Sequence, residues 1–284
     1  ATVGQQIAAL GAGAERLGAH PVDPRCSRDR QDPSRQPDPE AHGLPGFESR
    51  DLGELALVGQ TGAAGSGCRI GGGCLGDLVG YGPRPNETID LVRQRAIPVI
   101  MGNYDDGVGF DRDNCGCAYK DADEEARGQA SLMWTRATVD ADCKAYLRSF
   151  VPEIRFEARG KRFRLVHGSP RRFNEYLFED RDPRSLARIA KAADCDVLVF
   201  GHTHKPWVRE IEGVLFVNAG SAGKPKDGDA RACWVLLTIG DDGTVESDTR
   251  RVDYDIAAMA AAIRAAEGLP DQFATDIETG GSAL

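Results

Sequence analysis

Residues 196–206, Asp-Val-Leu-Val-Phe-Gly-His-Thr-His-Lys-Pro, decide the fold. The apolar run from Val197 to Phe200 predicts a short strand buried on both faces. Gly201 ends it, and His202 and His204 stand in the loop just beyond. The same pattern recurs along the chain. Residues 97–101 (IPVIM) predict a buried strand that delivers Gly102-Asn103-Tyr104-Asp105-Asp106, and residues 163–166 predict one that delivers His167 in Val-His-Gly-Ser-Pro. Residues 154–158 pair with 163–166 as a hairpin through Arg159-Gly160, and 214–217, 233–239 and 244–252 predict further strands. Residues 123–134, 141–150, 186–193 and 255–266 predict helices. Apolar runs ending in glycine-containing turns, with helices between them, are α/β organisation.

The chain has 284 residues, a net charge of −9, 41% hydrophobic and 28% charged residues, enough apolar material for a large core. An acidic balance argues against broad adhesion to nucleic acid or anionic lipid and leaves room for a small phosphorylated substrate. No run approaches the ~20 apolar residues that cross a bilayer, and no basic-then-apolar secretory pattern opens the chain. The expectation is a soluble, cytoplasmic protein. Its eight cysteines are scattered and read as free thiols. Cys115-Gly-Cys117 has no other Cys or His beside it, which fits loop or buried thiols better than structural zinc.

Residues 1–73 differ in kind. Half of the 34 glycines fall in the first 82 residues and six of the 15 prolines before residue 46. Residues 21–50 alternate Pro, Arg, Asp, Gln and Ser with little to bury, the signature of disorder. Residues 59–73 hold seven glycines, too many for a stable helix, and lack the Gly-Lys-Ser/Thr ending of a phosphate loop. The organisation expected is an aberrant, poorly ordered 1–73, a folded domain over 74–268 and a polar tail over 269–284.

Three of the five histidines, His167, His202 and His204, follow strand ends, where α/β proteins assemble sites. One such histidine is commonly structural. Three in similar loops, two of them separated by one residue, point to a divalent metal, which neutral imidazole binds well. Asp77 in Gly-Asp-Leu-Val-Gly-Tyr-Gly and Asn103 in Gly-Asn-Tyr-Asp-Asp join them, each after a glycine that permits a sharp turn. A carboxylate can bridge two cations, and an amide oxygen can complete a mixed shell.

In these motifs the chain resembles the calcineurin-like metallophosphoesterase superfamily, over about residues 74–252. GDLVGYGPRPNETID (76–90), GNYDD, VHGSP, GHTHKP and VNAGSAG (217–223) look most like its small bacterial members, which include phosphodiesterases and relatives of diadenosine tetraphosphatase. The resemblance implies two packed β-sheets flanked by helices, a four-layer α/β/β/α sandwich. It implies that Asp77 bridges two ions, that Asn103, His167 and His202 complete one, and that His204 belongs to the other. The cofactor implied is one or two divalent ions, with Mn, Fe, Zn and Ni all suiting such a shell. Two ions ~3.5–4 Å apart activate a water and neutralise phosphate charge, so metal-bound hydroxide is the nucleophile. Ser169 and Ser221 then serve as loop or phosphate-contacting residues. Arg171, Arg172, Lys205 and Lys224 follow motif loops and are candidates for phosphate contacts.

Two motif positions depart from the family. Tyr104 stands where a histidine helps protonate the leaving oxygen, and a phenol of pKa ~10 is a feeble acid near neutrality. Asp105 fits the acidic position that follows, with an orienting role. No Asp-x-His occurs upstream of Asp77. Asp51 stands 26 residues before Asp77 and is the candidate ligand from that motif; Glu40-Ala41-His42-Gly43 is a poorer mimic, and His20 is unrelated. The function expected is hydrolysis of a phosphodiester or phosphomonoester, the alternative a weak or inactive binding scaffold on the same fold. The composition before about Cys74, rich in Gly, Ala, Arg and Pro, is also what a shifted frame of a GC-rich gene yields. Sequencing the coding DNA is expected to show that frame change, and an intact single frame through the region would remove the idea.

Overall fold

The computed structural model describes residues 71–281 and, as backbone, 55–60. Asp51, His42 and His20 lie outside the described residues. Two short strands stand within the segment expected to be poorly ordered, β1 (Leu55–Gln60) and β2 (Gly71–Cys74). They join β8 (Ala232–Ile239) and β9 (Val245–Val252) in a sheet of order β2-β1-β8-β9, with β1 parallel to β8 and the other pairs antiparallel. The second sheet holds β3 (Glu153–Ala158), β4 (Lys161–Val166), β5 (Val197–Phe200), β6 (Trp207–Ile211) and β7 (Val214–Asn218), in the order β3-β4-β5-β7-β6. β4, β5 and β7 run parallel, so their C-terminal ends share one edge.

The unbroken apolar run of β5 has a partner layer on each side. Val197 and Val199 enter the core between the sheets with Leu165, Val217, Val235 and Leu237. Leu198 and Phe200 face outward against Leu186, Ile189 and Ala193 of α5 (Pro183–Ala193). Across the first sheet, Trp234 packs with a helical layer made of α1 (Pro85–Gln94), α2 (Asn103–Gly109), α3 (Ala122–Thr138) and α4 (Ala141–Leu147), through Ile89, Val92, Val108, Leu132 and Leu147. The result is helix, sheet, sheet, helix, the layered α/β sandwich expected. Asp121, Asp140 and Asp182 cap α3, α4 and α5 by accepting a backbone N–H in the first turn.

Two expectations differ from what forms. Residues 97–101 make only isolated parallel bridges, Cys74 with Val99 and Ile100 with Val151. Pro98 has no N–H to extend a ladder, and its carbonyl accepts from Cys74 N at 2.8 Å. Residues 269–284 are not simply a polar tail, because α7 (Gln272–Thr279) follows α6 (Ile256–Ala265) and docks on it. Leu269, Phe273, Ala274 and Ile277 repeat at helical spacing and bury against Met259, Ala260 and Ile263, a stripe hidden among acidic and hydroxyl residues. Phe273 also meets Tyr81 edge-on, with ring centroids 5.1 Å apart.

Phe273→Ala is therefore expected to cost about 3–5 kcal/mol in urea unfolding, as for other fully packed Phe truncations. A loss below about 1 kcal/mol would mean that α7 does not dock as described.

Candidate metal centre

The parallel strands deliver their loops to one place. His167 follows β4 directly, His202 and His204 follow β5 after Gly201, Asp77 lies in the segment after β2, and Asn103 is the first residue of α2. The last two loops interlock. A Cβ on Gly102 would lie 2.2 Å from Asp77 N, and one on Gly76 would lie 2.6 Å from Gly102 N, so neither position admits a side chain. Gly76 also has φ 94°. Asp105 ties the loops together from beneath: its carboxylate accepts from Leu78 N at 2.9 Å and from Gly102 N at 3.0 Å. Asp77, His202 and His204 all adopt left-handed backbone, φ 50°, 65° and 59°. Such conformations cost about 1–3 kcal/mol each outside glycine and persist only where surrounding packing imposes them.

His167 is fully buried, and its Nδ1 lies 2.7 Å from the Leu75 carbonyl. A carbonyl only accepts, so Nδ1 carries the proton and Nε2 presents a lone pair. Around that Nε2 stand Asn103 Oδ1 at 3.0 Å, His202 Nδ1 at 3.1 Å and Asp77 Oδ2 at 3.3 Å. The other Asp77 oxygen is occupied, accepting from Tyr104 N at 2.8 Å. His202 Nε2 is buried with no hydrogen-bond partner among the described residues. One proton could bridge a single pair of these atoms, whereas a cation satisfies all four. Ligand bonds of about 2.0–2.2 Å give ligand–ligand edges of about 2.9–3.5 Å, which these contacts match. Asp77, His167 and His202 form a triad able to hold a metal ion.

Electrostatics suit the same use. Burial would raise the Asp77 pKa, but the neighbouring His167 and His202 and the Tyr104 N–H prevail and lower it. Burial, reinforced by His167, lowers His202 to about 3. His204 also falls well below its usual value, through burial and then the Lys226 and Lys224 charges. Its Nδ1 lies 2.6 Å from the Lys224 carbonyl, which leaves the lone pair on Nε2. Metals need such deprotonated ligands. Asp105 is raised to about 7 by burial and the Asp77 charge, against its two backbone hydrogen bonds.

The other sequence candidates fall in different places. Tyr104 is fully buried, its phenol 3.4 Å from the Gly128 carbonyl and its ring 4.6 Å from that of Tyr81. Ser169 and Arg171 are both engaged with Glu175, Ser221 accepts from Lys224 N, and Lys205 is exposed. Lys224 lines a cleft with Asp77, Tyr81, Arg84 and Phe273 and pairs with Asp276 at 2.9 Å. Sequence reasoning passed over four residues. Tyr176 stacks on His202 at 4.1 Å, and Cys117 Sγ accepts from Asn103 Nδ2 at 3.1 Å. Asn218 Nδ2 donates to Gly201 O and Thr203 Oγ1, which ties the two-histidine loop to the end of β7. Lys226 is half-buried and lowered to about 8, by burial and then Lys224. A signal was present for Asn218, in the VNAGSAG motif, and for Cys117, in a Cys-Gly-Cys pair read only as loop or buried thiols; for Tyr176 and Lys226 it was absent.

The sequence description of the calcineurin-like phosphoesterase superfamily domain matches residues 73–242. The chain belongs to this superfamily. Its members are generally metal-dependent phosphoester hydrolases, which agrees with the triad. An uncharacterized protein of Methanocaldococcus jannaschii is 29% identical over 201 residues, 64% of this chain and 76% of the relative. The solved metallophosphoesterase of Sphaerobacter thermophilus is 30% identical, with a TM-score of 0.56, covering 72% of this chain and 86% of that one. A hypothetical protein of Pyrococcus horikoshii shares the fold, with a TM-score of 0.61 at 21% identity over 73% of this chain and 84% of its own. No helix among the described residues is long and apolar enough to cross a membrane.

Neutral buried imidazoles make the metal-stripped metallophosphoesterase domain acid-sensitive. Unfolded histidine titrates near 6.5 while His202 in the fold waits until about 3, so the unfolded chain binds more protons between these values and stability falls with pH. Asp105 acts oppositely, protonated in the fold below about 7, so the cleaner measure is a difference between proteins. Between pH 6 and 4, chelator-treated wild type is expected to lose stability more steeply than His202→Asn, by up to about 1.4 kcal/mol per pH unit in urea unfolding. Equal slopes would mean that His202 is not held neutral.

Proposed function

We propose that the protein hydrolyses a small phosphodiester or phosphomonoester at this centre. The observation that carries the proposal is the meeting of four lone-pair atoms, from Asp77, Asn103, His167 and His202, at the C-terminal edge of the sheets. These residues would hold a divalent cation, Mn, Fe, Zn or Ni, which would supply Lewis-acid activation of water and neutralise charge on the phosphoryl oxygens. Asp77 offers one oxygen to that cation while the Tyr104 N–H fixes the other, which sets the plane of the carboxylate. The Leu75 carbonyl holds His167 in the one tautomer that can coordinate, and the Lys224 carbonyl does the same for His204. His204 stands outside the Asp77, His167 and His202 triad and would be the histidine available to a second ion.

Asp105 is too deeply buried, and too fully occupied by two backbone N–H groups, to meet substrate; it positions the loops. Lys224 lines the cleft that Asp77 lines, its ammonium paired with Asp276, so a phosphate oxygen there would share it with that carboxylate. Arg171 would first have to leave Glu175, and Lys205 is exposed outside the residues that line the cleft. No side chain has to act as nucleophile, and Ser169 and Ser221 are already used in holding their loops. A net charge of −9 favours a small phosphorylated compound over nucleic acid.

One observation favours a second reading, a binding scaffold with little turnover. Tyr104 turns its phenol into the core, and burial raises its pKa well above 10, so this position supplies no proton to a leaving oxygen. With Mn²⁺, hydrolysis of bis-p-nitrophenyl phosphate or p-nitrophenyl phosphate is expected, with kcat/KM falling at least about 100-fold in His202→Ala together with loss of bound metal. Absence of turnover with Mn, Fe, Zn and Ni alike would favour the scaffold.

A further inference from the structure

Cys115 and Cys117 lie in the irregular segment between α2 and α3, at the rim of the metal centre. Side chains two residues apart on extended backbone share a face but stay well separated. Here Gly116, at φ 68°, folds the backbone between them and brings the two Sγ atoms to 3.1 Å. The turn is anchored on the site: Asn174 Nδ2 donates to the Gly116 carbonyl at 3.1 Å, and Ala118 N donates to Tyr176 Oη at 3.4 Å. Cys117 Sγ is also the acceptor for Asn103 Nδ2, and this contact turns Asn103 Oδ1 towards His167 Nε2. Access differs among the thiols. Among the described residues Cys74, Cys115, Cys143, Cys195 and Cys233 are buried, whereas Cys117 is half-buried between exposed Gly116 and Ala118, so an oxidant meets Cys117 first and Cys115 lies behind it.

We propose that Cys115 and Cys117 are a redox-modification site, closed to a disulfide by a peroxide, and that closure loosens the cation site through Asn103. In the first step a Cys117 sulfur lone pair attacks peroxide oxygen, the O–O bond breaks, and water and a sulfenic acid result. In the second, Cys115 sulfur attacks Cys117 sulfur, the S–S bond forms, the S–O bond breaks and a second water leaves. Two thiols and one peroxide become one disulfide and two waters, with the sulfurs oxidised by two electrons. A disulfide sulfur accepts hydrogen bonds poorly, and closing the gap draws Cys117 towards Cys115. Asn103 Nδ2 thereby loses the partner that fixes which way the amide faces. This second half rests on Asn103 being a metal ligand.

The test uses the whole protein, reduced and loaded with Mn²⁺, exposed to a small excess of hydrogen peroxide, then alkylated and digested with trypsin. Cleavage after Arg112 and Lys120 places both cysteines in peptide 113–120. The expected result is that this peptide escapes alkylation and is two hydrogens lighter, reversibly with dithiothreitol. Mn²⁺ retained through dialysis is expected to fall at least fivefold in parallel, and Cys115→Ser is expected to keep its Mn²⁺ through the same treatment. Should that variant fold poorly, Cys115→Ala serves, and the wild-type peptide mass decides the thiol chemistry by itself. A peptide fully alkylated after peroxide overturns the redox site. A closed disulfide with unchanged Mn²⁺ retention, or equal Mn²⁺ loss in Cys115→Ser, overturns the link to Asn103. A reduced protein that binds no Mn²⁺ overturns the site reading and the link built on it, while the peptide mass still decides whether the disulfide forms.

Discussion

Three ligand atoms gathered around the lone pair of His167 Nε2 suit a shared positive charge, and the rest of this structure is arranged to hold them there. Asn103 Oδ1, His202 Nδ1 and Asp77 Oδ2 sit 3.0–3.3 Å from His167 Nε2, in a place where burial keeps His202 from taking a second proton. Lone pairs this close repel unless a proton or a cation lies between them. The arrangement therefore has to be imposed from outside, by loops that cannot relax. Left-handed backbone at Asp77, His202 and His204 is the visible cost, and such conformations survive only where the scaffold overrides local preference.

The scaffold does this by stacking two sheets so that strand ends form a rigid edge. β5 is apolar on both faces because one face meets the opposite sheet and the other meets α5, and a strand clamped in this way cannot shift its register. Asn218 at the end of β7 then holds the loop after β5. Gly76 and Gly102, each lacking a side chain, let the Asp77 and Asn103 loops pass within a few ångströms of each other. Asp105 supplies the polar contacts that such a crossing of buried backbones requires.

Around this rigid floor the rim is chemically mixed. On one side lie Lys224, Tyr81 and Phe273, with the ammonium 4.6 and 5.1 Å from the two ring centres and paired with Asp276 of α7. The C-terminal helices thus reach the cleft that Asp77 lines. Elsewhere on the rim Tyr176 meets His202 and Cys117 meets Asn103, with Cys115 behind Cys117. Tyr104, placed by sequence order among the catalytic candidates, serves through its backbone, since its N–H holds Asp77 while its ring fills the core.

The amino-acid sequence by itself determined the α/β class and the strand-end positions of Asp77, His167 and His202, because both are written in local patterns; the four layers were implied by the resemblance. Four consecutive apolar residues announce a strand covered on both faces, and a histidine just after such a strand stands at its edge whatever the partners. Helical periodicity was less legible where polar residues diluted it, as in α7, where Phe273, Ala274 and Ile277 carry the buried stripe. Only the tertiary structure decided which way Tyr104 points, that Cys117 meets Asn103, and that Tyr176 covers His202. These contacts join residues 14 to 26 positions or more apart across irregular segments. No local period encodes them, since they depend on how separate loops fold back onto one sheet edge.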